Sequence, residues 1–250
     1  MKYQIPKTTF TGKPVEGAMK RVLEGSSTPP INPKPNTNTP LVTSLRNPED
    51  YLFLQGRTHG TYNYPDLFVS MYRLGMSSEV ETASRNLGYS VGNSAKERSG
   101  RDYIGNINWK QALSLNLALN GMTLNPRQFA DFLLLLKSGN AIDGTGRKVQ
   151  KSKLDEILNE ITEVRNPYRA EWLDADFKYL DGQGNPTRSD DTSGQFWIYT
   201  NHQLISGDLK PFKHKLENCL MTKESKMNLS TVNAQGMPTE QGNDFNYWCP

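Results

Sequence analysis

The stretch NPRQFADFLLLLKSG, residues 125–139, constrains the fold more than any other part of the chain. Leucines at positions 133–136 cover a full helical turn, so no side of that turn can be left to water. Asn125 followed by Gln128 forms a capping pair, Pro126 suits the first turn, and Gly139 is a stop. A helix that is apolar all round belongs at the centre of a domain, with other elements wrapped around it.

The same punctuation recurs nearby. Asn108 and Gln111 open NWKQALSLNLALNG, with Leu113 and Leu117 at helical spacing and a stop at Gly121. Ser78 and Glu81 open SSEVETASRNLG, which stops at Gly88. Ser152 opens SKLDEILNEITEVRNP, whose Leu154, Ile157, Leu158 and Ile161 share one stripe that halts before Pro167. NYPDLFVSMYRLG reads as a fifth helix, with Asn63 or Tyr64 as cap, Pro65 in the first turn, Leu67, Met71 and Leu74 at helical spacing, and Gly75 as stop. Residues 49–170 are therefore expected to form a helical domain, a small orthogonal bundle.

From about Trp172 the period shortens to two. In QFWIYTNHQLISGDLKPF, Phe196, Ile198 and Thr200 alternate with Trp197, Tyr199 and Asn201. Gly207 and Asp208, between HQLIS and LKPF, predict a tight hairpin turn. The stretches DGQGNPTRSDDTSG and STVNAQGMPTEQGND read as loops, and FNYW as a last strand with QFWIYTNH as its first neighbour and Tyr247 or Trp248 packed inward. Residues 171–250 are expected to be a small β-rich, loop-rich domain, giving an α+β chain.

Hydrophobic residues make up only 35% of the 250, which implies long connections around modest cores. Residues 1–48 hold eight of the fifteen prolines and read as an extended arm, interrupted by a short amphipathic helix around residues 15–23. It is either a plain leader or an arm that docks on its own body or on a neighbouring subunit. The 29 basic and 26 acidic residues leave a net +3, too even for a strongly electrostatic nucleic-acid binder. Protein ligands or self-association are thus expected before nucleic acid. With no apolar run near membrane-spanning length and no secretory h-region, the expectation is a cytoplasmic protein without membrane partners. Cys219 and Cys249 are expected as reduced thiols.

Several constellations invite a chemical reading. In GRTHGTYNYPD, His59 lies between Gly56 and Gly60, beside Arg57, Tyr62, Tyr64 and Asp66. It is the one candidate catalytic residue, a base or phosphate contact working with Asp66 or Glu171; the plain account is a structural turn feeding Pro65. IDGTGRK and LDGQGN place Asp143 and Asp181 in carboxylate–glycine loops, which bind Ca²⁺ in other contexts but here lack a closing Glu and are explained by turn chemistry. His202, His214, Cys219 and Cys249 match no standard zinc spacing. Glu171, Asp174 and Asp176 near Trp172 suggest either a glycosidase pair or a helix end at a domain boundary. Residues 125–137 follow a turn as a helix-turn-helix would, but their leucines demand burial. No metal or cofactor is expected from these patterns.

VRNPYRAEWLDADFKYLDG, IYTNHQLISGDLKP and LENCLMTKESKMNLSTVNAQGMPTEQGNDFNYWCP resemble uncharacterised archaeal and viral proteins in which a helical region precedes a C-type-lectin-type ligand-binding fold. Some of those look like targets of diversity-generating retroelements. The resemblance spans roughly residues 45–250 and implies a partial lectin-like fold at the C-terminal end. The resembled proteins continue past FNYWCP into their variable, ligand-contacting segment, so no binding residue transfers to this chain. The functional expectation is a non-enzymatic binding or scaffold protein, the invariant part of a lectin-like recognition protein. The alternatives are a hydrolase using His59 with a carboxylate, and a viral or mobile-element protein that assembles or contacts DNA.

Overall fold

The computed structural model describes residues 47–164, 171–188, 191–220 and 224–248. The Pro-rich arm, Cys249 and Pro250 lie outside them. The elements run β1 (Tyr51–Leu54), β2 (Arg57–His59), β3 (Tyr62–Tyr64), β4 (Leu67–Ser70), α1 (Ser78–Asn86), β5 (Asn93–Lys96), β6 (Asp102–Ile104), α2 (Trp109–Ala118), α3 (Pro126–Ser138), α4 (Lys151–Thr162), β7 (Asp176–Leu180), β8 (Gln195–Ile205), β9 (Asp208–Lys215), β10 (Glu224–Met227) and β11 (Phe245–Trp248). The chain is α+β, with small antiparallel sheets: β1–β4, β2–β3, β5–β6, β7–β8–β9 and β10–β11. No helix among the described residues is long and apolar enough to cross a membrane.

Helix α3 is the centre of the molecule. Residues 126–133 are buried without a break, and Leu133 and Leu136 are fully enclosed. Asn125 and Gln128 close a reciprocal capping box, and Gly139 ends the helix at φ 67. Leu52, Leu54, Leu67 and Val69 of β1 and β4 pack on it, with Leu154 and Ile157 of α4 and with Met227 and Leu229. Phe245 stands edge-on to Phe129 at 5.8 Å. One apolar cluster thus joins residues from both sides of position 170. Each enclosed leucine contributes about 1.5–3 kcal/mol by leaving water. A second cluster, Val80, Ala83, Ile104 and Leu115, ties α1, β6 and α2 together.

Four expectations change. NYPDLFVSMYRLG is not a helix but β3 and β4; β4 is buried at Leu67, Phe68 and Val69 and pairs with β1 in the register Leu54↔Leu67 to Tyr51↔Ser70. A strand enclosed on both faces has no polar alternation, so its apolar spacing matched a helix by coincidence. Helix α1 is capped by Ser77, not Ser78: the Ser77 hydroxyl accepts from the Val80 amide. Helix α4 starts after Gln150 with no side-chain cap. The final strand exists, but β11 pairs with β10 in the register Met227↔Phe245 rather than with β8; the side chains of Tyr247 and Trp248 lie outside the described ones. The β8–β9 hairpin is present, turning at Ser206 and Gly207, both with positive φ.

One loop design is used three times. Asp143, Asp181 and Asn233 each open a loop in which the side-chain oxygen accepts backbone N–H groups two and four residues on, at 2.8–3.0 Å. Gly146, Gly184 and Gly236 take the left-handed position in each. The Asp143 and Asp181 carboxylates are spent on their own loops, which is the turn chemistry the sequence offered.

Candidate functional site

His59 reaches a carboxylate, but not one of its neighbours in sequence. The β2–β3 hairpin turns at Gly60, with φ 57 in the first central position of the loop. It lays His59, Tyr62 and Tyr64 over the N-terminal turns of α3. There Asp131, 1% exposed, is the hub. Its Oδ2 accepts from His59 Nε2 at 2.8 Å and from the Tyr64 hydroxyl at 2.6 Å. Its Oδ1 accepts from Arg127 Nη2 at 2.7 Å, and Arg57 Nη1 stands 3.7 Å away. Burial would raise the Asp131 pKa, but the His59 hydrogen bond, the Arg127 charge and the Tyr64 hydroxyl outweigh it and hold the carboxyl below its ordinary value. The Tyr64 hydroxyl is raised well above its ordinary range, by burial first and by Asp131 second. Asp66 instead accepts from the Gly56 amide at 2.7 Å, and Glu171 pairs with Arg73.

A second polar node adjoins the first. Strand β8 slips register between Thr200 and Gln203, and Asn201 takes φ 52 in this bulge. The bulge turns Asn201 Oδ1 to Asn125 Nδ2 at 3.0 Å, and the same amide donates to the Tyr62 hydroxyl. Burial pushes the Tyr62 pKa up to about 12, against the opposing bonds from Asn125 and Asn201. His202, also buried, bonds Asp174 through Nδ1, donates its amide to Asp174 Oδ2 at 2.8 Å, and meets the Trp109 ring edge-on at 5.2 Å. Both His202 and Asp174 are therefore engaged in joining the long sheet to α2. His214 sits across from Ile198, half-buried, and burial lowers its pKa. Among the described residues, no three His, Cys, Asp or Glu side chains come together as a metal site.

The sheet β7–β8–β9 turns one face inward, through Ile198 and Thr200. Its other face carries two cross-strand rows that follow from register. Lys178, Trp197 and Lys215 lie side by side, and then Asp176, Tyr199 and Lys213. Lys213 and Lys215 are exposed, Trp197 and Tyr199 partly so. Lys213 Nζ stands 5.3 Å from the Tyr199 ring centre, and Lys178 Nζ pairs with Asp176 at 2.9 Å. Sequence reading found the alternation of β8 but not these rows, because the lysines come from two other strands. KPFKHK, with Lys213 and Lys215 two apart, was the only trace of them.

Elsewhere, a cavity of about 70 Å³ opens between Val69, Phe129, Phe132 and Ile157, with Arg73, Glu160 and Glu171 at its rim. Glu171 pairs with Arg73 there, and the Asp174 carboxylate is held by His202. No family model, no curated protein and no solved structure matches the chain.

Proposed function

We propose that the chain is a non-enzymatic binding protein whose recognition surface is the outward face of the β7–β8–β9 sheet. The observation that carries this reading is the row Lys178–Trp197–Lys215, an aromatic ring flanked on both sides by cations on a solvent-facing sheet. Partly exposed aromatics beside cations are a combination that surfaces binding anionic chains use. The C-type-lectin-type resemblance of the C-terminal third points the same way, toward recognition rather than turnover.

The hydrolase reading has one favourable observation, the 2.8 Å bond from His59 to Asp131. Its weakness is chemical. Asp131 already satisfies Arg127 and Tyr64, so its charge is neutralised and is not left to polarise the imidazole. The arrangement fits a tie between the β2–β3 hairpin and α3.

The test uses the full chain against three anionic probes: heparin, poly-glutamate and oligothymidylate. At least one is expected to bind, with binding lost in Lys213→Glu/Lys215→Glu and kept in His59→Ala. Failure of all three, or binding indifferent to the lysine pair, overturns the reading.

A further inference from the structure

We infer that this face takes single-stranded nucleic acid, one base on Trp197 and the next on Tyr199, with the flanking lysines on the phosphates. The inference rests on the proposed binding face and names its partner.

Three features favour this partner over a generic polyanion. First, the two rings lie on one strand two residues apart, so they stand about 6.8 Å from one another along β8 and face the same side. That makes a stepped platform on which successive unstacked bases can lie. A polyglutamate has no flat face to lay on the second ring.

Second, the cations sit across the strands from the rings rather than along them. Lys178 and Lys215 are the partners of Trp197 on either side, and Lys213 is the partner of Tyr199. Neighbouring strands are about 4.8 Å apart, which puts ammonium groups within reach of a backbone running beside a stacked base. The ring of Tyr199 already accepts one such cation, Lys213.

Third, the two-ring row is too shallow to read a duplex. The rings lie on the three-stranded part of the sheet and not on the two-stranded β8–β9 ribbon beyond it, so they enter neither groove, whereas splayed bases come to them. The even charge of the whole chain is no obstacle, since the register of three strands gathers these lysines locally. Within the two rows the one acid is Asp176, which pairs with Lys178.

The test is fluorescence anisotropy of labelled oligothymidylate and oligouridylate with the full chain, over a salt series. Binding is expected with a log–log salt slope near −2, from about 0.7 per phosphate contact and three lysines. Trp197→Ala is expected to weaken it by roughly 5- to 150-fold, the range seen for loss of one stacked base. Because that change touches a partly buried ring, Lys213→Gln/Lys215→Gln provides a second variant on exposed side chains alone. It should cut affinity and flatten the slope. Lys110→Glu, an exposed lysine outside the sheet, should leave binding unchanged.

Single strands bound no better than a blunt duplex, or bound equally well by Trp197→Ala, overturn the inference. If heparin or poly-glutamate binds through Lys213 and Lys215 while oligonucleotides do not, the face is a binding site and the nucleic-acid assignment is wrong. If no anion binds, both readings fall together.

Discussion

Removing the charge from Asp131 tests the idea that the hub is structural. Asp131→Asn keeps the size of the side chain and one acceptor oxygen. It leaves the Arg127 guanidinium, 5% exposed, without its anion. Arg127 then has only neutral acceptors, the retained amide oxygen and the Asn233 carbonyl at 3.3 Å. Stranding one member of a buried pair costs about 3–5 kcal/mol. Arg57, 43% exposed, adds little on its own. A loss near 3–4 kcal/mol lowers the melting temperature by roughly 6–16 °C for a chain of this size. Urea unfolding should show the midpoint falling at constant slope. The exposed pair Lys137–Asp244, 2.6 Å apart, serves as comparator, and Lys137→Ala should cost under about 1 kcal/mol. If Asp131→Asn lies within about 1 kcal/mol of the parent, the hub is not holding the hairpin to α3. The pH dependence has a definite sign. A carboxyl with a lowered folded pKa stabilises above its unfolded value, about 3.9, and that stability is lost as pH falls through the folded pKa. Asp131→Asn should flatten that acid limb.

Other changes give separate readouts. Tyr62 and Tyr64 should ionise above the ordinary tyrosine range, and Tyr62→Phe should remove a component near pH 12 from the tyrosinate absorbance titration. Since the folded pKa is the raised one, stability from Tyr62 is present below about pH 10 and lost above it. Asn201→Ala should cost about 2 kcal/mol in urea, from a left-handed backbone and a lost amide bond, and Asn201→Gly distinctly less. Gly236→Ala should cost about 2–4 kcal/mol, because φ is 83 and a methyl there overlaps the Arg127 backbone; a neutral result would mean the Asn233 loop does not seat on α3.

What the sequence made legible was local. The capping boxes at Asn108–Gln111 and Asn125–Gln128 and the stop at Gly139 are decided by atoms within a few residues, and each appears as read. So is the β8–β9 turn, within one position. The β3–β4 stretch differs because Leu67, Met71 and Leu74 satisfy helical spacing while Phe68 and Val69 between them favour a strand. Asp131 was missed for a different reason. It lies 72 residues from His59, and nothing in either segment alone marks the two as partners. Its signal was an Arg and an Asp four apart, Arg127 and Asp131, beside the apolar run of the same helix. Such a pair must be buried together and available to others. The pairing of β11 with β10, and the lysine rows, depend on register between separate strands, which no single segment encodes.

The core that joins Leu52 and Leu54 to Met227, Leu229 and Phe245 has a consequence in time. During synthesis at roughly 5–20 residues per second, the first strand waits on the order of 10–40 s before the last part of its core is made. Until then β1 and β4 have α3 and α4 on one side and no cover from the late strands. A nascent chain stalled within that interval exposes leucines that the finished protein hides, and it is then that a chaperone has most to protect.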